Sequence, residues 1–390
     1  MRGGHARSGC IACVVGARPN YMKMAPLIRA FATERRLPAA LLVHTGQHYD
    51  VAMNERLFRD LGLPAPDVNL EVGSATHAVQ TAEVMRRIEP VLDEHAPSCV
   101  VVVGDVNSTL AASLVAAKKG IPVAHVEAGL RSRDRTMPEE INRLLTDQLA
   151  DLCYVTERGA IENLCREGVA PERIHFAGNV MIDSLDRHRA AAVDPAATLA
   201  AAGADPGLAR RASGFAVATL HRPSNVDDAA ALAESLAILG DVAHSMPVIW
   251  PVHPRTRSNL ERFGLMARLE AVAIALLPPQ GYLEMLGLLA GARVVLTDSG
   301  GLQEETTALG VPCLTMRENT ERPVTVDEGT NLLVGRDRAR AAAALADVVA
   351  GRGKRGRKPE LWDGRAAGRI ARHLADWLAQ RGVIRQQVPA

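Results

Sequence analysis

Residues 99–127 read CVVVVGDVNSTLAASLVAAKKGIPVAHVE, and the reading of this stretch decides the fold. Cys99–Val103 is apolar throughout. A strand with one wet face alternates polar and apolar residues, so an unbroken run predicts a strand covered on both faces, as in a parallel sheet. Ser108–Lys119 reads as a helix and Pro122–Val126 as the next strand. Strand, helix, strand is the repeating piece of a doubly wound α/β domain.

The same rhythm runs outward in both directions. Cys10–Val15, Ala40–Val43, Asp151–Val155, Phe215–Thr219, Val248–Trp250, Ala271–Leu276, Val294–Thr297 and Val311–Thr315 read as further strands. Met22–Glu34, His77–His95, Glu139–Leu149, Ala229–Ala243, Tyr282–Ala290 and Leu302–Leu309 read as helices. The chain has 390 residues, enough for two or three domains. The composition shifts once, across an Ala-rich stretch with Pro195, Gly203, Pro206 and Gly207. We therefore expect a first domain over 1–186, a helical linker over 187–213 and a second domain over 214–364. A last helix over 365–390, with Ile370, Leu374, Trp377 and Leu378 at helical spacing, should pack against the body rather than hang free.

Hydrophobic residues make up 47% of the chain and aromatics only 3%, so Ala, Val and Leu must fill the cores. Acidic and basic residues balance to a net charge of +1, which argues against bulk binding of nucleic acid or membrane. No apolar run approaches the ~20 residues that span a bilayer, and Cys10–Val15 is too short for a signal-peptide core; a cytoplasmic protein is expected. The C-x-x-C of Cys10 and Cys13 lies inside a strand-like run with no second pair, so free thiols are expected rather than a metal or redox site. His44 and His48 have metal-like spacing but cross a Gly turn, and no metal is expected. The basic stretch 351–358 reads as a solvated loop.

In doubly wound sheets ligands bind beyond the carboxyl ends of the strands, and the unusual polar residues gather there. After Cys10–Val15 come Arg18 and, one helical turn inside, Lys23. After Val103 comes Gly104-Asp105; after Val126 comes Glu127; after Leu220 come His221 and Arg222. After Thr297 come Asp298-Ser299-Gly300-Gly301, then Gln303-Glu304-Glu305. Five such loops shared by two domains point to an active site between them. Ser299-Gly300-Gly301 suits an anion: a Ser able to cap, two glycines that admit a ligand to the backbone, and free N–H groups at a helix start. Arg18, Lys23 and Arg322 add cations. Glu139 and Glu140 open a helix, where the dipole favours carboxylates, so either has a structural excuse. Asp105 and Glu127 have none. Of the histidines, His221 leaves a strand directly and His253 is a second candidate. Neither a G-x-G-x-x-G after the first strand nor a G-x-x-x-x-G-K-[ST] occurs, so neither a nicotinamide cofactor nor an ATP site is indicated.

These residues together resemble the non-hydrolysing UDP-N-acetylglucosamine 2-epimerase family. The matching stretches are GARPNYMKMAP (16–26), TGQHYD (45–50), GDVNST (104–109), HVEAGLRS (125–132), MPEEINR (137–143), GNVMID (178–183), PVHPRT (251–256), LTDSGGLQEE (296–305) and MRENTERP (316–323). The resemblance implies two Rossmann-like domains facing a cleft in a glycosyltransferase-B-like architecture, the last helix crossing back onto the first domain, and a homodimer. It implies interconversion of UDP-GlcNAc and UDP-ManNAc with no cofactor: UDP is eliminated anti to give 2-acetamidoglucal, then re-added with protonation of C2 from the other face. Asp105, Glu127 and Glu139 would serve proton transfer and charge stabilisation, with His221 assisting. Arg18, Lys23, Arg143, His253, Ser299, Gly300, Gly301 and Arg322 would bind substrate, and Glu305 the ribose hydroxyls. Four positions depart from the common pattern: Asn20, Tyr49, Val106 and Pro223-Ser224. They line the sugar and a neighbouring region that binds a second UDP-GlcNAc in some relatives. The alternatives are a related UDP-N-acyl sugar as substrate, a hydrolysing 2-epimerase, a glycosyltransferase of the same architecture, or a non-catalytic sensor.

Overall fold

The computed structural model describes residues 9–46, 57–270 and 273–383, with Arg18 and Glu270 described by their backbone alone. The chain divides into two compact units, residues 1–184 with 360–390, and residues 185–359. Each is built on one parallel sheet.

Unit 1 holds β1 (Ile11–Val15), β2 (Ala40–His44), β3 (Val68–Asn69), β4 (Cys99–Val103), β5 (Val123–Ala128), β6 (Leu152–Val155) and β7 (Ile174–Phe176) in the order β3-β2-β1-β4-β5-β6-β7. Helices α1 (Arg18–Thr33), α2 (His77–His95), α3 (Asn107–Lys118), α4 (Pro138–Leu149), α5 (Arg158–Arg166) and α6 (Val180–His188) alternate with them. All five residues of β4 are buried, as its unbroken apolar run requires. Helix α1 starts at Arg18 rather than Met22 because Pro19 fits the first turn, where its missing N–H is no loss. Thr76 caps α2 through Val79 N. Strand β5 runs two residues past the expected end and changes register between Val126 and Ala128. Glu127 sits in that bulge with φ 73°.

Unit 2 holds β8 (Ala216–Thr219), β9 (Val248–Pro251), β10 (Ile274–Leu277), β11 (Val294–Thr297), β12 (Cys313–Thr315) and β13 (Asn331–Leu333) in the order β10-β9-β8-β11-β12-β13. Its principal helices are α7 (Pro195–Ala201), α8 (Ala229–Ser245), α9 (Pro254–Arg262), α10 (Tyr282–Gly291), α11 (Gly300–Leu309) and α12 (Arg338–Val349). Successive strand residues feed opposite cores. Ala216, Ala218, Val294 and Leu296 join one cluster with Trp250 and Leu232; Val217, Val295 and Ile249 join the other with Phe215, Leu288 and Leu199. A sheet covered on both faces needs this division, and small aliphatic side chains satisfy it on narrow spacing. Leu199, in the stretch expected as a linker, is fully buried in the second cluster, so residues 187–213 fold as part of unit 2.

Helix α13 (Ala366–Gln380) returns to unit 1 and packs on α1. Asp183 accepts the Ala366 and Ala367 N–H groups at 3.0 and 2.7 Å, which closes a helix start that Arg365 leaves uncapped. Trp362 Nε1 donates to Thr156 O at 3.0 Å, and Gly178, at φ 85°, leaves room for the Leu361 carbonyl where a Cβ would stand. Cys13, Cys99, Cys153 and Cys313 are buried free thiols, whereas Cys10 is half-buried and Cys165 exposed. Among the described residues no helix is long and apolar enough to cross a membrane.

Candidate active site

Each sheet reverses its strand order once at the centre, between β1 and β4 in unit 1 and between β8 and β11 in unit 2. There the helices leaving neighbouring strands go to opposite faces and open a crevice beyond the strand ends. The candidate residues lie at these two places.

In unit 1, Lys23 comes from the second turn of α1 and makes a buried ion pair with Glu127. Asn20, one turn earlier, accepts from Ala17 N at 3.0 Å and donates to Val103 O at 2.9 Å, tying the β1 exit to the end of β4. A Glu at this position has no N–H for Val103. Gly104, at φ 67°, packs where a Cβ would stand 3.2–3.4 Å from Lys23 Nζ, Glu127 Oε2 and Asn20 Nδ2. Asp105 follows, a quarter exposed, and is ion-paired to Arg143. Arg143 also reaches Glu140 Oε2 at 3.0 and 2.7 Å. Glu140 accepts Ser132 N at 3.0 Å and Arg133 N at 2.9 Å as well. Burial opposes its charge, but these N–H groups and Arg143 hold the carboxyl below its ordinary value. Arg143 is 2% exposed, so its guanidinium aims Asp105 and anchors the α4 start. The neighbouring Glu139 is half-exposed and has no hydrogen-bond or ion-pair partner among the described residues. The two adjacent carboxylates thus divide: Glu140 is structural, and Glu139 is available.

In unit 2, the fully buried Asp298 organises the β8 exit. It accepts the backbone N–H groups of His221 (3.0 Å) and Arg222 (2.9 Å) and Asn225 Nδ2 (3.1 Å). The His221 ring lies 3.1 Å from it. Against the cost of burial, His221 and these donors hold Asp298 below the usual carboxylate range. His253 stands beside His221, ring centres 5.9 Å apart, and caps α9 by accepting from Arg255 N at 3.2 Å.

Helix α11 opens at Gly300. Ser299 occupies the capping position, but its side chain makes no capping bond; its backbone N–H donates to Thr297 Oγ1 at 3.0 Å. The first α11 N–H groups therefore keep their affinity for an anion. Arg322 lies over Gly300, where a Cβ would come within 2.5 Å of the guanidinium and of Glu321. Arg322 bonds Glu304 at 3.0 Å and Glu321 at 2.5 Å; Arg317 bonds Glu321 at 2.7 Å; Arg222 approaches it at 3.6 Å. Burial opposes ionisation of Glu321, yet the three guanidinium groups hold it well below its ordinary value. Three guanidinium groups thus stand beside the α11 start, held in place by Glu304 and Glu321. One turn further, Glu305 is 5% exposed. Its Oε1 and the Tyr282 hydroxyl are both buried and outside ordinary hydrogen-bond geometry. Burial, and then the Glu304 charge, push Glu305 up to about 8, and Tyr282 interacts with the carboxyl only closely enough to lower it slightly. A buried carboxyl with an unused oxygen is costly and marks a place for a ligand donor.

The structure thus gathers Lys23, Asp105, Glu127, Glu139 and Arg143 in unit 1, and His221, His253, Ser299, Gly300, Gly301, Glu305 and Arg322 in unit 2. The Arg18 side chain and residues 47–50, with His48 and Tyr49, lie outside the described residues. Sequence reasoning placed Asp298 at a strand exit without a role, because its partners His221, Arg222 and Asn225 lie more than seventy residues away; it assigned nothing to Arg317 and Glu321, and left Glu140 undecided. Its spacing of three residues before Arg143 was the available signal. Among the described residues no cluster of three or more His, Cys, Asp or Glu could hold a metal.

The comparisons with known proteins agree with one another. The profile of the family described as UDP-N-acetylglucosamine 2-epimerase matches residues 32–375. UDP-N-acetylglucosamine 2-epimerase of Methanococcus maripaludis is 40% identical over 336 residues, 84% of this chain and 88% of that protein. UDP-2,3-diacetamido-2,3-dideoxy-D-glucuronate 2-epimerase of Pseudomonas aeruginosa is 40% identical over 373 residues, 94% and 99%. The crystal structure of Methanocaldococcus jannaschii UDP-GlcNAc 2-epimerase in complex with UDP-GlcNAc and UDP superimposes with a TM-score of 0.82 at 37% identity, over 94% of this chain and 99% of that one. With two Rossmann-like sheets and these relatives over nearly its whole length, the chain belongs to the UDP-N-acetylglucosamine 2-epimerase family.

Proposed function

We propose that this protein interconverts UDP-GlcNAc and UDP-ManNAc by eliminating and re-adding UDP. The observation that carries the reading is the division of labour between the two switch points. Unit 2 offers N–H groups and guanidinium groups at the α11 start for a leaving diphosphate, and the buried Glu305 for the ribose hydroxyls. Unit 1 offers three carboxylates in different settings for the sugar: Glu127 paired with Lys23, Asp105 aimed by Arg143, and Glu139 unpartnered.

The chemistry asks for this set. The C2 proton of the sugar is not acidic until the C1–O bond weakens. As that bond breaks, its electron pair leaves with UDP, a carboxylate takes the C2 proton, and C1=C2 forms. Re-addition of the UDP oxygen to C1, with a proton delivered to the other face of C2, inverts that centre. Charge stabilisation at the diphosphate and acid–base groups on both faces of the sugar are the requirements. Glu127, Asp105 and Glu139 are the groups for the second task, with His221 assisting. No cofactor enters the scheme.

The Pseudomonas relative favours a second reading, in which the sugar is a UDP-2,3-diacetamido glucuronate. It matches a larger share of the chain than the Methanococcus protein does, and the elimination step is common to both. Proton NMR of each substrate with the enzyme in D₂O decides. Conversion of UDP-GlcNAc alone, with deuterium at C2 and no accumulation of free UDP, supports the proposal. Turnover of the diacetamido sugar only would establish the second reading, and accumulation of free ManNAc would establish a hydrolysing enzyme.

A further inference from the structure

His125 lies on β5 with no exposed surface, two residues before Glu127, and looks by its position like a core residue. Its contacts differ from those of a core residue. Nδ1 is 2.6 Å from Asp147 Oδ1 and Nε2 is 2.8 Å from Gly104 O. A carbonyl oxygen can only accept, so Nε2 carries a proton. The Oδ2 of Asp147 accepts Gly129 N at 3.0 Å and lies 2.7 Å from the Arg131 guanidinium. Although burial opposes it, the Asp147 carboxyl is held below its ordinary value, and the Arg131 guanidinium on Oδ2 supplies a counter-charge that does not depend on the state of His125. An ionised Asp147 also accepts only, so Nδ1 carries a proton too. Arg131 is balanced in turn by Glu167 at 2.5 Å. The other titratable group facing the ring is Cys153 on β6, whose thiol burial pushes up to about 12 and which is therefore neutral.

We propose that His125 is a buried imidazolium that positions the two carboxylates of unit 1, a role that rests on the epimerase reading above. The pair holds one loop with each partner. His125 fixes the Gly104 carbonyl, the peptide that leads directly into Asp105. Asp147 fixes the Gly129 N–H, at the far side of the bulge that carries Glu127. Both Glu127 and Gly129 are left-handed, at φ 73° and 79°. A non-glycine residue is strained in that region and persists there only where its surroundings impose it.

The test uses the full chain labelled with ¹⁵N-histidine. Near neutral pH both His125 ring nitrogens should show protonated shifts, assigned by their loss in His125→Gln or, if that variant does not fold, by through-space contacts to β4 and β6. A lone-pair shift at either nitrogen overturns the proposal, whatever the enzyme turns over. His125→Gln can still donate to Gly104 O but has lost the charge and the Asp147 bond. Misplacing a reacting group by an ångström costs roughly a hundredfold in rate. We expect a loss of that order in kcat with UDP affinity unchanged. A folded variant that loses thermal stability but keeps kcat makes His125 merely structural and refutes the positioning role.

Discussion

Replacing Glu305 by Gln should stabilise unit 2 at high pH and weaken nucleotide binding at the same time. In the folded chain Glu305 titrates at about 8, against an ordinary value of 4.5. The folded state therefore holds a proton that the unfolded chain has released. Stability is full below the unfolded value, falls as pH rises from 4.5, and levels off above about 8. Each unit of that gap is worth about 1.4 kcal/mol. Between about pH 5 and about pH 8 the penalty grows by about 3 kcal/mol. Gln has no proton to lose, so the variant escapes this growth. The desolvation of its amide is a cost at every pH and cancels from the difference. Hydrogen exchange of the β11 and α11 amides in increasing urea reads unit 2 separately from unit 1. The variant should gain about 3 kcal/mol on wild type between the two pH values. A gap that does not widen with pH means that Glu305 is ionised in the folded protein, and the account of its burial is wrong. The same carboxyl gives the nucleotide a pH signature. If two ribose hydroxyls donate to it, binding requires the ionised form. Affinity of wild type for UDP-glucose, whose diphosphate does not titrate in this range, should then rise about tenfold per pH unit below about 8 and flatten above, and Glu305→Gln should abolish the slope.

Asp105→Asn and Glu127→Gln should each lower kcat by roughly 10²–10⁴-fold with UDP affinity intact by calorimetry; loss of affinity without loss of kcat would reverse their assigned role. Glu139→Gln should do the same, whereas a helix-start role alone predicts normal turnover and a few tenths of a kcal/mol of stability. Gly300→Ala should weaken UDP binding and also destabilise unit 2, because the new Cβ meets Arg322 and Glu321 at 2.5 Å; unchanged affinity and stability would mean that Arg322 does not sit there. His175 and His373 are stacked with ring centres 3.7 Å apart, and burial holds both below their ordinary value, His175 at about 4. The stability they allow is complete above 6.5 and is lost as pH falls toward about 4. Amides of α13 should exchange faster across that window, and His175→Phe should weaken the dependence, leaving the share of His373.

What was legible in the sequence follows from what is local. The central strands β4 and β11 lie within the ranges read from their apolar runs, and α2 likewise, because each is a long periodic segment with its own start and stop. The edge strands β3, β7 and β13 were invisible: two or three residues carry no period, and only the neighbouring strand makes them strands. Asp105 and Glu127 were found because a strand-exit carboxylate has no local purpose. The choice between Glu139 and Glu140 was not available, since Glu140 is fixed by backbone N–H groups of Ser132 and Arg133 across a loop. Arg317 and Arg322 are close to Glu321 in the sequence, but Arg222 comes from after β8, and its approach exists only in three dimensions. His125 was hidden for the opposite reason: in a run of apolar strand residues, a histidine reads as filler.

Helix α13 belongs to unit 1 yet is the last described helix of the chain, separated from β7 by the whole of unit 2. A ribosome delivers β1 to β7 first, then all of unit 2, and α13 only afterwards. Unit 2 can thus complete its core while still tethered to the ribosome. Unit 1 must wait, with the surface of α1 that Ile370, Leu374 and Leu378 serve, the Thr156 carbonyl and the Asp183 carboxylate all lacking their partners. The domain made first is finished last, and the nascent chain carries an open apolar seam for as long as translation of unit 2 lasts.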